Sequence, residues 1–250
     1  MIVRKSRREI ELMRMAGKIT ADALSLAREI AKENISTEYI NNELEKYIIS
    51  QGGIPVFKGY RGFPKSICTS INEEVVHGIP GPRKLKSGDI LRIDVGVGYR
   101  KYIADAALTI AIGEVPAEAK RLVEVCEKSL DLAIRAIKSN QKLSLISRAI
   151  QEYVERCGYS VVRNYTGHGI GRCMHEDPQV PNFVSRSLLE ADEILTQGVT
   201  IAIEPMICAG KCDTEVLSYK WTVVTKDRKL SAHFEHTVVV TEDGADILTI

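Results

Sequence analysis

The sequence has almost no net charge and no long apolar segment. Its 34 Lys and Arg residues against 33 Asp and Glu residues give a formal net charge of +1, which argues against a surface that binds nucleic acid or an anionic membrane. No apolar run has the length of a signal-peptide core or of a membrane span. We therefore expect a cytoplasmic protein without a DNA or membrane partner.

Paired cysteine motifs and linker segments are also lacking. The six cysteines are scattered, as is typical of free thiols in a reducing compartment. Cys208 and Cys212 form an isolated C-x3-C, which does not indicate a structural zinc site. No Pro- or Ser-rich stretch divides the chain, so we expect one domain over residues 1–250 with a substantial core.

Helical patterns occur in two pairs. Ser6 to Glu9 form a capping box. The apolar face that follows predicts a helix, and it comprises Ile10, Met13, Ala16, Ile19, Ala23 and Ala27. A second helix is predicted over 37–51, and a second pair over 116–139 and 144–157, from their start and stop signals.

A sequence repeat relates two predicted strands. Segments 85–94 and 195–204 share the pattern L-x-x-G-x-x-(L/I)-x-I-(D/E) at an offset of 110 residues, so Asp94 corresponds to Glu204. The helix pairs begin at the same offset. We therefore predict an α+β fold built from two related halves, about 1–112 and 113–250, whose strands meet at one site.

A hairpin carries the first two acids of interest. Segments 89–98 and 102–110 alternate like strands and are joined by a polar turn that begins at Tyr99. With the turn centred just after Tyr99, Asp94 and Asp105 would face each other directly, which is destabilising without a counter-charge. The alternative is a pair on an exposed face, and the small alanines beside the second aspartate argue against it.

Five potential metal ligands lie on such strands or on glycine-rich turns, namely Asp94, Asp105, His168, Glu204 and Glu235. Buried carboxylates are costly unless a positive charge lies between them. A pair of divalent metal ions would supply that charge, and a carboxylate-rich set with one imidazole suits hard or borderline ions.

Three histidines fall in motif-like segments. His77 lies in SINEEVVHGIP, and His168 and His175 lie in TGHGIGRCMHEDP. A lone histidine is more often an ordinary polar residue than a ligand, but this concentration favours a site. The glycines around His168 permit a tight backbone and close approach of a ligand.

The other two histidines flank Glu235 on the last predicted strand. Because side chains alternate along a strand, His233 is expected on the same face as Glu235 and near the site. His236 is expected on the opposite face, where it would support the strand from behind.

Five segments occur together in a specific order: SINEEVVHGIP, RIDVGVGYRKYIADAALT, TGHGIGRCMHEDP, TIAIEPM and LSAHFEHTVVVT. In order and spacing they resemble the type I methionine aminopeptidases, which have the pita-bread metallopeptidase fold. The resemblance implies a duplicated pita-bread (creatinase/aminopeptidase) fold, with pseudo-two-fold halves around a central antiparallel sheet. It also implies a hydrolase that removes the N-terminal methionine from nascent proteins and from peptides with a small second residue.

The resemblance implies a role for each candidate residue. The five donors would bind two divalent ions of cobalt, manganese, iron, zinc or nickel. Glu204 would also move a proton from the attacking water to the leaving amine, while His77 and His175 would contact the scissile peptide. The residues implied to bind the methionine side chain are Phe57, Tyr60, Phe63, Cys68, Met174 and Trp221, with His233 beside them.

Further implied properties carry no side-chain signature. A monovalent cation would be held by main-chain oxygens near Asn72, Glu74 and Ser231. The protein would be a monomer that trims nascent chains, and a contact with the ribosome surface would fit that task. Because the first predicted helix lies at the start of the sequence, we expect no zinc-binding region of the kind found in some eukaryotic relatives, and we expect no helical insertion of the type II kind.

Two alternatives share the fold. Proline-specific peptidases, such as Xaa-Pro aminopeptidase or prolidase, usually carry an added N-terminal domain and differ in the segments that correspond to VVHGIP and HEDPQVP. A non-catalytic relative should have lost ligands, whereas all five are present here. A metal titration with a Met-Ala-Ser peptide beside an Ala-Pro peptide separates the three.

Overall fold

Two pairs of helices pack on a large antiparallel sheet in the computed structural model, which describes residues 2–250. The helices are α1 (Arg7–Ile30), α2 (Thr37–Ser50), α3 (Ala117–Arg135), α4 (Ser144–Arg156) and a short α5 (Arg186–Glu190). Among the described residues, no helix combines the length and apolarity that a membrane crossing requires.

Seventeen strands and a short 3-10 helix at Tyr60–Gly62 form the rest of the regular structure in the described part of the chain. They are β1 (Ile54–Pro55), β2 (Cys68–Ile71), β3 (Glu74–Val76), β4 (Ile90–Tyr99), β5 (Tyr102–Ala111), β6 (Gln141–Lys142), β7 (Ser160–Val161), β8 (Gly167–Gly169), β9 (Glu176–Val180), β10 (Ile194–Leu195), β11 (Thr200–Ile203), β12 (Met206–Cys208), β13 (Thr214–Val216), β14 (Val223–Thr225), β15 (Ser231–His233), β16 (Glu235–Val240) and β17 (Ala245–Ile247).

Nine of these strands make the central sheet. Its order is β1-β4-β5-β16-β11-β8-β9, with β2 beside β4 and β17 beside β16. The strands of the repeated sequence pattern, β4 and β11, flank the central pair β5 and β16. This symmetric order supports the predicted duplication, and the division near residue 112 stays a prediction.

The predicted helices are confirmed. The capping box begins α1: the Ser6 hydroxyl accepts from the Glu9 backbone N–H, and the Glu9 carboxylate accepts from the Ser6 backbone N–H at 2.8 Å. The apolar face of α1 is buried against β4 and β5, except for the half-buried Ile10. Helix α3 ends at Arg135, four residues before the predicted end.

The hairpin is confirmed, but its predicted register is wrong. Tyr99 pairs with Tyr102, so the turn is centred between Arg100 and Lys101, one position later than predicted. Both turn residues have positive φ, 47° and 72°, which is the backbone of a two-residue type I′ turn. Asp94 therefore lies opposite Ala107 rather than opposite Asp105.

The two faces of β4 serve different purposes. Ile93 and Val95 belong to the main hydrophobic core with residues of α1 such as Ile19. Asp94, between them, points to the other face because side chains alternate along a strand. Helix packing on one face thus fixes which face of the hairpin carries the acids.

Candidate active site

Three acids lie on one face of the central sheet. Asp94 on β4 and Glu235 on β16 are both paired with Ala107 of the intervening strand β5, so these two acids lie in one row across three strands. Asp105 lies two residues along β5, so it shares that face and is diagonal to Asp94. The predicted convergence holds, although the predicted direct opposition does not.

His168 and Glu204 complete the group from the neighbouring strands. Glu204 directly follows β11, and His168 on β8 pairs with Ala202 of β11. The His168 Nε2 atom lies 3.6 Å from Glu204 Oε1 and 3.7 Å from Asp105 Oδ2. All five donors, which span 142 positions of sequence, line one cavity.

The tautomer of His168 follows from its second nitrogen. Its Nδ1 atom lies 2.9 Å from the Gly169 carbonyl oxygen, which can only accept, so Nδ1 carries the proton. Burial lowers the pKa of His168, which favours the neutral ring. Its Nε2 lone pair is therefore directed at the carboxylates and available to a metal ion.

The glycines around His168 are required by strand packing, which confirms the tight backbone expected from the sequence. A Cβ atom on Gly167 would collide with the Ala202 carbonyl, and one on Gly169 with the Asp177 carbonyl. Close approach of β11 and β9 therefore requires glycine on both sides of the histidine.

The carboxyl groups are strongly perturbed. Burial raises the pKa values of Asp94, Glu204 and Glu235 well above the usual range, and repulsion from neighbouring carboxylates raises them further. Burial also raises the pKa of Asp105 to about 7, although a hydrogen bond from Thr237 opposes the shift. Such a group of acids favours either bound protons or bound cations.

Two observations indicate that the donors fit a divalent metal ion. One ligand atom each of Asp105, His168 and Glu235 lies within 4.8 Å of the others. The Asp94 Oδ1 atom is buried and has no hydrogen-bond partner, which is costly for a carboxylate without a cation. Oxygen donors together with one imidazole nitrogen suit divalent metal ions that are hard or of borderline softness.

His77 and His175 lie at the same cavity as the acids. The ring centroids of His175 and His168 are 4.2 Å apart, and the Tyr60 hydroxyl lies 2.8 Å from His175 Nδ1. Burial lowers the pKa values of His77 and His175 to about 4, and neighbouring histidines contribute. Both rings are therefore neutral near pH 7 and can donate one N–H each.

The predicted methionine slot opens onto the acids. Its six residues line the same cavity of about 160 Å³: Phe57, Tyr60, Phe63, Cys68, Met174 and Trp221. Phe63 and Trp221 meet edge to face with ring centroids 5.1 Å apart. Gly96, opposite Asp105, leaves room for Phe57, because a Cβ atom there would collide with its ring.

The last predicted strand is interrupted, and the single-strand prediction is wrong. Strand β15 ends at His233 and pairs with β12 in a smaller sheet, whereas Glu235 begins β16 in the central sheet. His233 lies behind the cavity wall, with its Nε2 atom 3.9 Å from Glu204 Oε2. His236 does lie on the face opposite Glu235, where it contacts Thr249 Oγ1 at 2.8 Å.

Two arginines of this region were missed by sequence reasoning. Arg61 lines the cavity beside Tyr60 and has positive φ, 49°, and no sequence signal marks it. Arg92 contacts two of the three residues, Asn72 and Ser231, near which the resemblance implied a monovalent cation. Its guanidinium donates to the main-chain oxygens of Asn72, at 3.0 Å, and Ser231. The only sequence signal for this role is a charged residue within an otherwise apolar strand pattern.

Comparison with known proteins agrees with this geometry. Residues 11–242 match the profile of metallopeptidase family M24. The chain is 47% identical to methionine aminopeptidase 1 of Bacillus subtilis (strain 168) over 249 residues, which covers 100% of this chain and 99% of that protein.

Solved structures confirm the predicted fold. A crystal structure of methionine aminopeptidase from Rickettsia prowazekii superimposes with a TM-score of 0.96 at 41% identity and covers 100% of both chains. Prolidase from Pyrococcus furiosus superimposes with a TM-score of 0.80 at 21% identity and covers 99% of this chain and 65% of that one, so it shares the fold alone.

Proposed function

This chain belongs to metallopeptidase family M24, and from that premise we propose that it is a methionine aminopeptidase. It would hydrolyse the peptide bond after an N-terminal methionine. The observation that carries the proposal is the cavity in which the acids and His168 adjoin an apolar slot formed by Phe63, Met174 and Trp221. Aromatic and thioether groups suit a thioether side chain.

Two divalent ions are part of the proposal. Asp94, Asp105, His168, Glu204 and Glu235, which all line one cavity, would hold them. Cobalt, manganese, iron, zinc and nickel are all compatible with this donor set. When bound, such ions neutralise the carboxylates and supply an acidified water as the nucleophile near neutral pH.

Glu204 is proposed as the proton carrier. Its carboxyl group lines the cavity, with one oxygen 3.6 Å from His168 Nε2. It can accept the proton of the attacking water and pass it to the leaving amine. His233, 3.9 Å from its Oε2 atom, would act by orienting this carboxylate.

His77 and His175 are proposed as hydrogen-bond donors to the scissile peptide. The Tyr60 hydroxyl can donate to His175 Nδ1, which leaves the Nε2–H of a neutral ring as the donor. A donor aimed at a carbonyl oxygen stabilises the charge that develops there. The confined cavity would restrict the second residue of the substrate to a small side chain.

The cellular setting is also proposed. The six cysteines are unpaired in the structure, which supports a reducing compartment such as the cytoplasm. There the substrate would be the N-terminal methionine of nascent polypeptides, met near the ribosome surface. We propose that the protein acts as a monomer, since all five donors come from one chain.

Peptide cleavage tests the proposal. Metal-loaded protein is incubated with Met-Ala-Ser, Leu-Ala-Ser and Ala-Pro peptides, and free amino acids are quantified. We expect release of methionine from the first peptide only, and none after chelation. Preferential cleavage of Ala-Pro would favour a proline-specific peptidase, and no cleavage with any of the five metals would favour a binding protein.

A further inference from the structure

Arg92 is the largest fully buried side chain of the described residues and lies beside the candidate active site. It points to the same face of β4 as Asp94, two residues away. Within residues 2–250, no carboxylate oxygen lies within 4.0 Å of its nitrogens; Glu74 on β3 pairs with Arg83 at 3.1 Å and attracts Arg92 only from a longer distance. A buried guanidinium without a carboxylate requires another source of compensation.

Main-chain carbonyl oxygens provide that compensation. One terminal nitrogen of Arg92 donates to the Ser231 oxygen and the other to the Asn72 oxygen, at 3.0 Å. The Asn72 oxygen also accepts from the Ser231 backbone N–H at 3.0 Å. The two carbonyls thus converge on one point between β15 and the turn after β2, and we call this point the carbonyl cradle.

Convergent carbonyl oxygens form a site for a cation. Several carbonyl dipoles aimed at one point repel each other and attract positive charge, as in sites for small metal cations. An arginine side chain meets the same need without an ion, because it is always charged and carries several fixed donors. The Nε atom of Arg92 has no partner, so only the terminal nitrogens engage the cradle.

We propose that the Arg92 guanidinium is a built-in cation that fills the carbonyl cradle, so that this protein neither binds nor requires a monovalent metal ion there. Arg92 is then a positioning residue. It joins the turn that leads to His77, five residues after Asn72, to the strand that leads to Glu235, four residues after Ser231. The predicted effect on kcat rests on the proposed aminopeptidase function, whereas the predicted effect on the thermal unfolding midpoint does not.

The first test uses the wild-type protein in matched salts. Thermal unfolding midpoints of chelated protein, and kcat of metal-loaded protein, are measured in NaCl, KCl and choline chloride at equal ionic strength. We expect the same midpoint and the same kcat in all three. A midpoint or a kcat that rises with Na⁺ or K⁺ over choline would overturn the proposal, because a metal ion would then share the cradle.

The second test empties the cradle. Arg92→Ala is expected to lower kcat on the order of tenfold to 100-fold, since small displacements of positioned groups have large effects on rate. Millimolar methylguanidinium or K⁺, but not choline, should restore part of both the midpoint and kcat. Arg92→Gln is measured in parallel in case the alanine variant does not fold. Its shorter, uncharged side chain also leaves the position of the guanidinium charge vacant.

Leu91→Ala is the matched control for these variants. Leu91 is a fully buried neighbour on the opposite face of β4, so its truncation weakens packing without touching the cradle. We expect its midpoint to fall and to gain nothing from methylguanidinium or K⁺. Failure of both Arg92 variants to respond to either cation would refute the cradle. If wild-type protein cleaved no peptide, the midpoints would still decide the question.

Discussion

At the scale of single residues, the site concentrates groups that are unfavourable on their own. Asp94 has a buried oxygen without a partner, and Asp105, Glu204 and Glu235 all have raised pKa values because of burial. Such groups lower the stability of a metal-free protein above their unfolded pKa values. Bound cations reverse the sign of that contribution, so stability and catalysis depend on the same side chains.

Glu204→Gln should abolish cleavage and leave the fold intact. The substitution preserves volume but removes the ionisable group, and proton transfer by a positioned side chain typically contributes about 10²–10⁴-fold in rate. Steady-state kinetics on metal-loaded protein and circular dichroism make the measurement. Glu152→Gln, on the exposed surface of α4, is the control and should retain activity. A Glu204 variant with nearly normal kcat would disprove the proton-carrier role.

His77→Ala and His175→Ala should each lower kcat without loss of metal. Removal of one donor to a developing charge costs roughly 10²–10³-fold in rate, and neither ring is needed to complete the five-donor set. Metal analysis of the purified variants tests this, with His168→Ala as the variant that should lose metal. A reduced metal content in the His77 or His175 variant would identify that ring as a ligand.

Asp105→Asn should reverse its effect on stability between metal-free and metal-loaded protein. The pKa of Asp105 is raised to about 7 in the fold, against about 3.9 unfolded. The folded state therefore binds the proton more tightly, and its contribution to stability is lost as pH rises from about 4 through 7. Asparagine has no such loss, so the metal-free variant should equal wild type near pH 4 and exceed it at pH 8.

With saturating metal the same variant should be less stable than wild type. It lacks one charged ligand, and stabilisation by a ligand depends on its affinity for the folded state. Thermal midpoints at both pH values, with chelator and with metal, test the four conditions. An equal decrease in all four would show that Asp105 has a structural role unrelated to metal.

At the scale of elements, the turn of the β4–β5 hairpin sets which acids are adjacent. A two-residue turn at Arg100 and Lys101 places Asp94 opposite Ala107 and Asp105 opposite Gly96. If the turn were centred one position earlier, each residue of β4 would pair with a residue of β5 that lies two positions closer to the turn, and Asp94 would be opposite Asp105. The interruption of the strand at Phe234 also changes which side chains are neighbours, because it places His233 and Glu235 in different sheets.

Replacement of Arg100-Lys101 by Asn-Gly should stabilise the protein and keep the register. Both residues have positive φ, which costs an ordinary L-residue roughly 1–2 kcal/mol and costs glycine almost nothing. We expect a gain of about 1 kcal/mol in the free energy of unfolding, measured by urea denaturation. Arg100→Ala with Lys101→Ala removes the same charges but keeps the strained backbone, and it should give no gain. Equal effects of the two pairs would rule out the strain argument.

At the scale of the whole molecule, helices cover one face of the sheet and the proposed catalytic groups lie on the other. Helix α1 packs on β4 and β5, and α3 packs on α4 and β15. The cavity is therefore bounded by the sheet and by loops such as that of Tyr60, which carry its aromatic wall. We propose that this cavity selects substrates by the size of both residues at the scissile bond.

A peptide series should show a strict limit on the second residue. Met-Gly, Met-Ala and Met-Ser peptides should be cleaved, whereas Met-Lys should have a much lower kcat/KM, because His77 and His175 border the same cavity of about 160 Å³. Values for peptides that differ only at this residue make the comparison. Similar kcat/KM for Met-Ala and Met-Lys would show that the second residue lies outside the cavity.

The sequence by itself determined the features that depend on neighbouring residues. The capping box of α1, the apolar helix faces, the hairpin and the five donors follow from local hydrogen bonding and periodicity. The five-segment resemblance also indicated the fold, which the superposition on solved structures confirms. The sequence also indicated that acidic residues lie on apolar strands. Burial of such residues is unfavourable without a compensating charge, so the pattern predicted a site for cations.

Only the tertiary structure decided how distant segments meet. The register of the hairpin depended on a strained turn that two basic residues do not signal, and the packing around His168 depended on the closeness of β9 and β11. The position of Arg92 depended on carbonyl groups of two segments 159 residues apart, Asn72 and Ser231. Main-chain carbonyls are the same in every residue, so their convergence leaves no trace in the sequence and arises only from the fold.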